Sequence, residues 1–334
     1  MVTLPVVAVA ALGGTIAMRR PQPGEPVTPK LSADDLLAAV PAIKSHAQIV
    51  ATTVTRAPSP SITINDLLRA LQWANEQVAQ GATGVVFTHG TDTLEESAFL
   101  LDLLWDHPEP LVLTGAMRSS DLLGADGEAN LYDAVICAAS EHSRSYGVLV
   151  CLNQTIHLAS SVVKNDSHAL EAFQSPGRGP AGYVREGAIE MLWPAPPRSS
   201  RFARPSSESC SIPIVEASVG EDGAFLHTVD ATRIDALVVA GSGVGHVSAP
   251  LADCLERFVD EGLVVVVASR TERSGTARAL YGYVGSESDL VRRGIILTGQ
   301  LSARKARLAL FLMIEAGYSR EAIRTYFQHQ WRGN

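Results

Sequence analysis

The chain has 334 residues, 46% hydrophobic and 19% charged, enough apolar material for a large core and for about two domains. Its 27 basic and 35 acidic residues leave a net charge of −8 at pH 7, which disfavours a nucleic-acid or anionic-membrane surface and suits small, net-neutral or zwitterionic partners. Apolar runs are short and broken by Gly and Pro, none approaching the roughly 20 residues of a bilayer span, so the chain reads as a soluble protein without a membrane partner.

The first apolar run leads straight into Gly13-Gly14-Thr15 with no basic segment ahead of it. That predicts a core strand over Val6 to Ala11 rather than a signal peptide, with the cytoplasm as the default compartment. Ser32 with Asp35, and Thr63 with Asp66, have the spacing of carboxylate forms of the N-terminal capping box. Ile49 to Thr53 reads as the next strand; Leu67, Leu71, Ala74 and Val78 then recur at helical spacing until Gly81 stops the helix. Val85 to Thr88, Leu111 to Thr114 and Val148 to Leu152 read as buried strands, with a helix over Leu94 to Leu104. Such alternation marks βαβ units and a mostly parallel sheet.

From Pro194 to Pro213 the chain is polar and proline-rich without periodicity, the best domain boundary. Beyond it, Ala236 to Ala240 and Leu263 to Ala268 are strand-like, and Leu251 to Phe258 and Ala303 to Ala316 helical. The fold class expected is α/β, in two domains: residues 1–193 with a mostly parallel, flavodoxin-like sheet, a linker over 194–212, and a smaller parallel-sheet domain over 213–334. Cys137, Cys151, Cys210 and Cys254 are far apart and lack C-x-x-C spacing, so they read as reduced packing thiols rather than a disulfide or metal site.

Polar clusters follow three of the strands: Gly13-Gly14-Thr15, Thr88-His89-Gly90-Thr91-Asp92 and Thr114-Gly115-Ala116-Met117-Arg118. In a parallel sheet all three emerge at the carboxyl edge, where open α/β folds bind ligands. The plain alternative is that Gly and Thr merely make βα turns and helix caps. The chain has no His/Cys cluster at metal spacing, no phosphate-binding loop and no G-x-S-x-G elbow, which leaves hydroxyl nucleophilicity. A threonine attacks a carbonyl only when a base takes its proton and donors receive the oxyanion. Asp92 or a lysine fits the proton relay, and glycine-loop N–H groups fit the oxyanion. Lysines are scarce; of Lys30, Lys44, Lys164 and Lys305, Lys164 lies among valines, where a snorkelling surface lysine is the competing reading.

Gly13-Gly14-Thr15-Ile16-Ala17, His89-Gly90-Thr91-Asp92-Thr93-Leu94-Glu95-Glu96, Thr114-Gly115-Ala116-Met117-Arg118, Asp126-Gly127 with Asn130-Leu131, and Lys164 followed by Ala172-Phe173 together resemble the bacterial-type L-asparaginase/glutaminase family. Ala240-Gly241-Ser242-Gly243, Ser269-Arg270-Thr271 and Lys305-Ala306-Arg307 extend the resemblance nearly end to end. It implies that Thr15 attacks the side-chain amide of L-asparagine, forming an acyl-enzyme and releasing ammonia and then aspartate. It implies that Thr91, Asp92 and Lys164 assist proton transfer, that Asp92 holds the substrate amino group, that Ser59 binds its carboxylate, and that the Ala116 carbonyl contacts the leaving amide, with Thr91 and Gly14 lining the same site. No cofactor or metal is implied, and a homodimer or homotetramer is expected.

Several positions differ from the family pattern. Leu12 replaces a usual threonine, and Ile16 to Leu31 holds no tyrosine to orient the nucleophile, with Thr28 a candidate substitute. Pro60 follows Ser59 where a polar residue often helps grip the carboxylate, His246 replaces an asparagine, and the acidic residue expected after Arg270-Thr271 has no clear match, Glu287 lying far downstream. Each missing hydrogen bond to a charged group is worth roughly 1.5–3 kcal/mol, so weak apparent affinity and little glutaminase activity are expected. An idle small-molecule binding protein and an amidohydrolase for another small amide remain alternatives. A nucleotide-binding reading of Gly241-Ser242-Gly243-Val244-Gly245 is a further alternative, although its third glycine falls one residue early for G-x-G-x-x-G.

Overall fold

A computed structural model of the chain describes residues 3–20, 22, 25–197, 201–205 and 209–330. Two compact units divide it, Met1–Arg201 and Phe202–Asn334. The proline-rich stretch forms neither helix nor strand where it is described, residues 198–200 and 206–208 lying outside the described residues. Among the described residues, no helix is long and apolar enough to cross a membrane.

In chain order the first unit contains β1 (Val6–Gly13), α1 (Ala33–Ala39), β2 (Gln48–Ala57), α2 (Ile64–Ala79), β3 (Gly84–Thr88), α3 (Leu94–Leu104), β4 (Leu111–Thr114), α4 (Gly127–Ala139), β5 (Val148–Leu152), β6 (Thr155–Leu158), β7 (Gly182–Arg185) and β8 (Ala188–Met191). Both predicted capping boxes are formed: Asp66 N donates to Thr63 Oγ1 at 3.1 Å and Thr63 N to Asp66 Oδ2 at 3.0 Å, with the same reciprocal pair at Ser32 and Asp35. α2 then runs to Ala79 and ends before Gly81, whose φ of 100° suits only glycine there without strain.

These strands form one sheet in the order β8-β7-β6-β5-β4-β3-β1-β2. The five strands β2, β1, β3, β4 and β5 are parallel, each a short Val/Leu/Ala-rich run joined to the next by a helix. Side chains alternating across β1, β3 and β4 put Val7, Val9, Ala11, Val86 and Val112 into one cluster with Leu36 of α1 and Leu131 and Val135 of α4. α2 and α3 pack together against the other face. The order 2-1-3-4-5 of the parallel strands puts the topological switch between β1 and β3.

β6, β7 and β8 extend this sheet antiparallel, a feature the apolar runs did not signal. The cause is local. Asn153 and Gln154, with φ of 49° and 61°, close a two-residue turn, and Glu186 and Gly187, at 51° and 74°, close another. Turns with two successive positive φ values match strand twist and force an antiparallel return, leaving no chain for a crossover helix.

The second unit contains β9 (Ile214–Glu216), β10 (Ala236–Gly241), α5 (Ala249–Asp260), β11 (Val264–Ser269), α6 (Glu287–Arg292), β12 (Ile296–Leu297), α7 (Ala303–Glu315) and α8 (Arg320–His329). Its strands pair in sequence order, all parallel. Leu251, Leu255 and Phe258 of α5 recur at helical spacing and pack on Leu237, Val239, Val265 and Val267 of the sheet. The fold is therefore α/β in both units, the smaller one with a wholly parallel sheet.

Candidate active site

Glycines at the strand ends set the backbone of the switch point. Gly13 ends β1 and Gly14 follows it, with φ of 106° and 81°, conformations that disfavour a side chain. A Cβ on Gly14 would stand 2.2 Å from Gly90 Cα, one on Gly90 would stand 2.7 Å from Ser59 Cβ and 3.0 Å from Gly14 Cα, and one on Gly115 would stand 2.5 Å from the His89 carbonyl oxygen. Segments leaving β1, β2, β3 and β4 therefore meet at contact distances that only glycine permits. Thr15 comes directly after Gly14, half-buried, at the start of a single 3-10 turn, Thr15–Ala17.

Thr91 and Asp92 follow β3 and lead into the N-terminus of α3. Lys164 reaches them from a two-residue antiparallel ladder in which Val163–Lys164 pairs with Phe173–Gln174. Its Nζ donates to Thr91 Oγ1 at 2.9 Å and to Asp92 Oδ1 at 2.6 Å. The lysine side chain is only 14% exposed, whereas that of Asp92 is 63% exposed, so the cluster has a buried cationic side and a carboxylate open to ligand. Buried Glu95, on the first turn of α3, accepts the Lys164 backbone N–H on Oε2.

The neighbouring loops are braced by side-chain hydrogen bonds. Asp126 accepts from Met117 N at 3.0 Å and Arg118 N at 2.8 Å. Asn130 Nδ2 donates to the Gly115 carbonyl at 3.0 Å and to Asp126 Oδ2 at 2.9 Å, while its Oδ1 accepts from Asn153 N. Those bonds hold the segment bearing fully buried Ala116. Ser59, 3% exposed, is tied to the same helix start through its carbonyl, which accepts from Thr93 Oγ1 at 2.9 Å, and Pro60 beside it is exposed. Burial pushes the His89 imidazole down to about 4, so it is neutral at pH 7, and its Nδ1–H donates to the Gly90 carbonyl at 2.7 Å.

Direct bonds thus join Thr91, Asp92 and Lys164, while Gly90 packs closely on the Gly14 backbone and the Ser59 side chain. Thr15 takes no hydrogen bond from the Lys164 ammonium among the described residues; its relation to that cluster is through Gly14. Thr28 is exposed, paired with Arg19 in a two-residue ladder. Glu95 and Asn130 stood in the motifs quoted above, but nothing in their spacing announced what they bond.

In the second unit, His246 Nε2 lies 2.8 Å from Glu287 Oε2, and its Nδ1 lies 2.6 Å from the Tyr283 hydroxyl. Rings of Tyr281 and Tyr283 stand edge-on to the imidazole at 5.0 and 5.3 Å. Glu287 is fully buried; burial alone would raise its pKa, but the Tyr281 N–H, His246 and the Leu280 N–H outweigh that and hold it below the usual carboxylate value. Forty-one residues separate His246 from Glu287, which is why their spacing in sequence signalled no pairing.

An α/β unit whose switch point carries a hydroxyl, a carboxylate and an ammonium in direct contact defines a small-ligand site of polar chemistry. The family model described as "Asparaginase, N-terminal" matches residues 6–197, and "Glutaminase/Asparaginase C-terminal domain" matches residues 211–327. The chain is 32% identical to "Probable L-asparaginase periplasmic" of Haemophilus influenzae over 97% of this chain and 93% of that protein. It is likewise 32% identical to "L-asparaginase 2" of Escherichia coli, over 93% and 89% respectively. Among solved structures, a probable cytoplasmic L-asparaginase from Campylobacter jejuni matches with a TM-score of 0.87 at 30% identity, covering 97% of this chain and 99% of that one. The chain belongs to the asparaginase family.

Proposed function

We propose that this chain is an L-asparaginase, hydrolysing the side-chain amide of L-asparagine to L-aspartate and ammonia with Thr15 as the nucleophile. The observation that carries this reading is the Lys164 ammonium bonded to Thr91 and Asp92 at the sheet's switch point, beside the Gly14–Gly90 contact that sets the backbone of Thr15. Thr15 Oγ1 attacks the amide carbon and backbone N–H groups of the glycine loops receive the oxyanion. The hydroxyl proton passes to the amide nitrogen, which leaves as ammonia, and an ester remains on Thr15. Water then cleaves the ester, returning the proton to Thr15 and releasing aspartate.

Thr91, Lys164 and Asp92 form the relay that moves these protons. Exposure of the Asp92 carboxylate suits it to the substrate's amino group; Ser59 takes the α-carboxylate, and the Ala116 carbonyl faces the departing amide. Family membership supports these assignments, and needs no cofactor. It also supports residues 1–193 as the catalytic domain, 194–212 as a linker, 213–334 as the second domain, and assembly as a homodimer or homotetramer. We assign the chain to the cytoplasm; the Campylobacter jejuni protein carries that description, and the Haemophilus influenzae relative is named periplasmic.

Steady-state ammonia release from L-asparagine, D-asparagine, L-glutamine and non-amino-acid amides tests the reading. L-asparagine should be turned over with weak apparent affinity, since Pro60 beside Ser59 supplies neither a side-chain amide nor a backbone N–H. Glutamine turned over as well as asparagine would sink the selectivity, and no ammonia from any amide would leave a binding protein.

A further inference from the structure

We infer that Glu95 is a positioning residue for Lys164 and acts through the reach of its carboxylate rather than through its charge. The inference rests on the catalytic reading of Lys164 given above. Glu95 stands on the first turn of α3 and is 4% exposed. Its Oε2 accepts the backbone N–H of Lys164 at 2.5 Å, across 69 residues of sequence. Thr91 and Asp92, immediately ahead of the same helix, take the ammonium of the same lysine. One helix start therefore grips Lys164 at both ends.

The grip is needed because the strand carrying Lys164 is weak. Its ladder is two residues long on each side, shorter than the strands that hold register on their own. A lysine adds a flexible four-carbon stem, so any drift of the backbone is passed to Nζ. Placing the ammonium against Thr91 and Asp92 then depends on where the Lys164 backbone sits, and Glu95 is the side chain that sets it. Its bond to Lys164 is to a neutral N–H, for which one lone pair at the correct distance suffices. Glutamine offers that oxygen at the same reach, whereas aspartate keeps the charge but falls short by about 1.5 Å, one carbon–carbon bond.

Glu95→Gln, Glu95→Asp, Lys164→Met and the Glu95→Asp/Lys164→Met double variant of the full chain separate these possibilities by ammonia release from L-asparagine. Glu95→Gln should keep kcat within about threefold, and Glu95→Asp should lose kcat on the order of a hundredfold with KM within about twofold. In the Lys164→Met background, Glu95→Asp should add no further loss, because the lysine it positions is gone. Wild-type kcat in Glu95→Asp, a Glu95→Gln as impaired as Glu95→Asp, or losses that multiply in the double variant would each overturn the inference. Wild-type turnover in Lys164→Met would instead remove the catalytic reading of the lysine, and the positioning role would fall with it. A dead Lys164→Met beside a fully active Glu95→Asp would sink the positioning role alone.

Discussion

Lys164 is one of four lysines in the chain, and its ammonium closes a contact with a hydroxyl and a carboxylate. Its partner Asp92 is 63% exposed, and a pair with so open a carboxylate contributes roughly 0–1 kcal/mol to folding. Stability is therefore a poor reason for the arrangement, which makes the two effects separable. Lys164→Met should lower kcat on the order of a thousandfold while leaving the melting temperature nearly unchanged, because the apolar stem is kept and only the relay is lost. Thr15→Ala should abolish turnover with the fold intact. Retention of the wild-type rate in Thr15→Ala would take Thr15 out of the mechanism, and a mild effect in Lys164→Met would return it to the surface-lysine reading.

At the scale of elements, the site depends on strand ends that meet backbone to backbone. Gly90→Ala would bring a Cβ to 2.7 Å from Ser59 Cβ and 3.0 Å from Gly14 Cα, and neither neighbour is the tip of a flexible chain. The segments after β1, β2 and β3 must separate to admit it. Such overpacking costs about 1–3 kcal/mol of stability, and a displacement of roughly 1 Å at the nucleophile costs on the order of a hundredfold in kcat/KM. Denaturant midpoints and steady-state kinetics on Gly90→Ala test both numbers; unchanged kinetics would mean that the glycine contact does not set the Thr15 backbone. The helices and parallel strands were legible in the sequence because their signals are local: the Thr63–Asp66 box, the stop at Gly81 and the unbroken Val/Leu runs. The antiparallel strands β6 to β8 were not, since Asn153-Gln154 lacks the glycine that usually marks such a turn and Glu186-Gly187 is bounded by strands only four residues long.

Across the whole molecule, buried His89, His157 and Asp133 contribute to how stability responds to pH between about 6.5 and 4. Burial pushes His89 and His157 down to about 4, from an ordinary value near 6.5. Between those values the unfolded chain binds protons that the folded chain refuses, so stability is lost as pH falls from about 6.5 to 4, by up to about 3 kcal/mol per histidine, and levels off below. Asp133 acts the opposite way: burial raises its carboxyl to about 6, so the folded state gains stability as pH falls from there toward the ordinary 3.8. Two histidines outweigh one aspartate, and the melting temperature should fall between pH 6.5 and 4. Asp133→Asn should raise it at pH 8 and change little at pH 4. A melting temperature flat across the acid window, or equal effects of Asp133→Asn at both pH values, would show that these groups do not carry the pH dependence.

The sequence by itself determined the α/β class, the strand that leads into Gly13, the strands that end at Thr88 and Thr114, and the helix that begins at Leu94. All of these follow from patterns within a few residues, the period of apolar side chains and the chemistry of turns and caps. Parallel pairing then brings the polar ends of those strands to one sheet edge, because strands joined by crossover helices point the same way. Only the tertiary structure decided which groups touch there. Lys164 meets Asp92 across 72 residues and Glu95 across 69, and His246 meets Glu287 across 41. Contacts at those separations depend on strand order, on hairpin register and on the angstrom-scale approach of glycine backbones, none of which leaves a periodic trace along the chain.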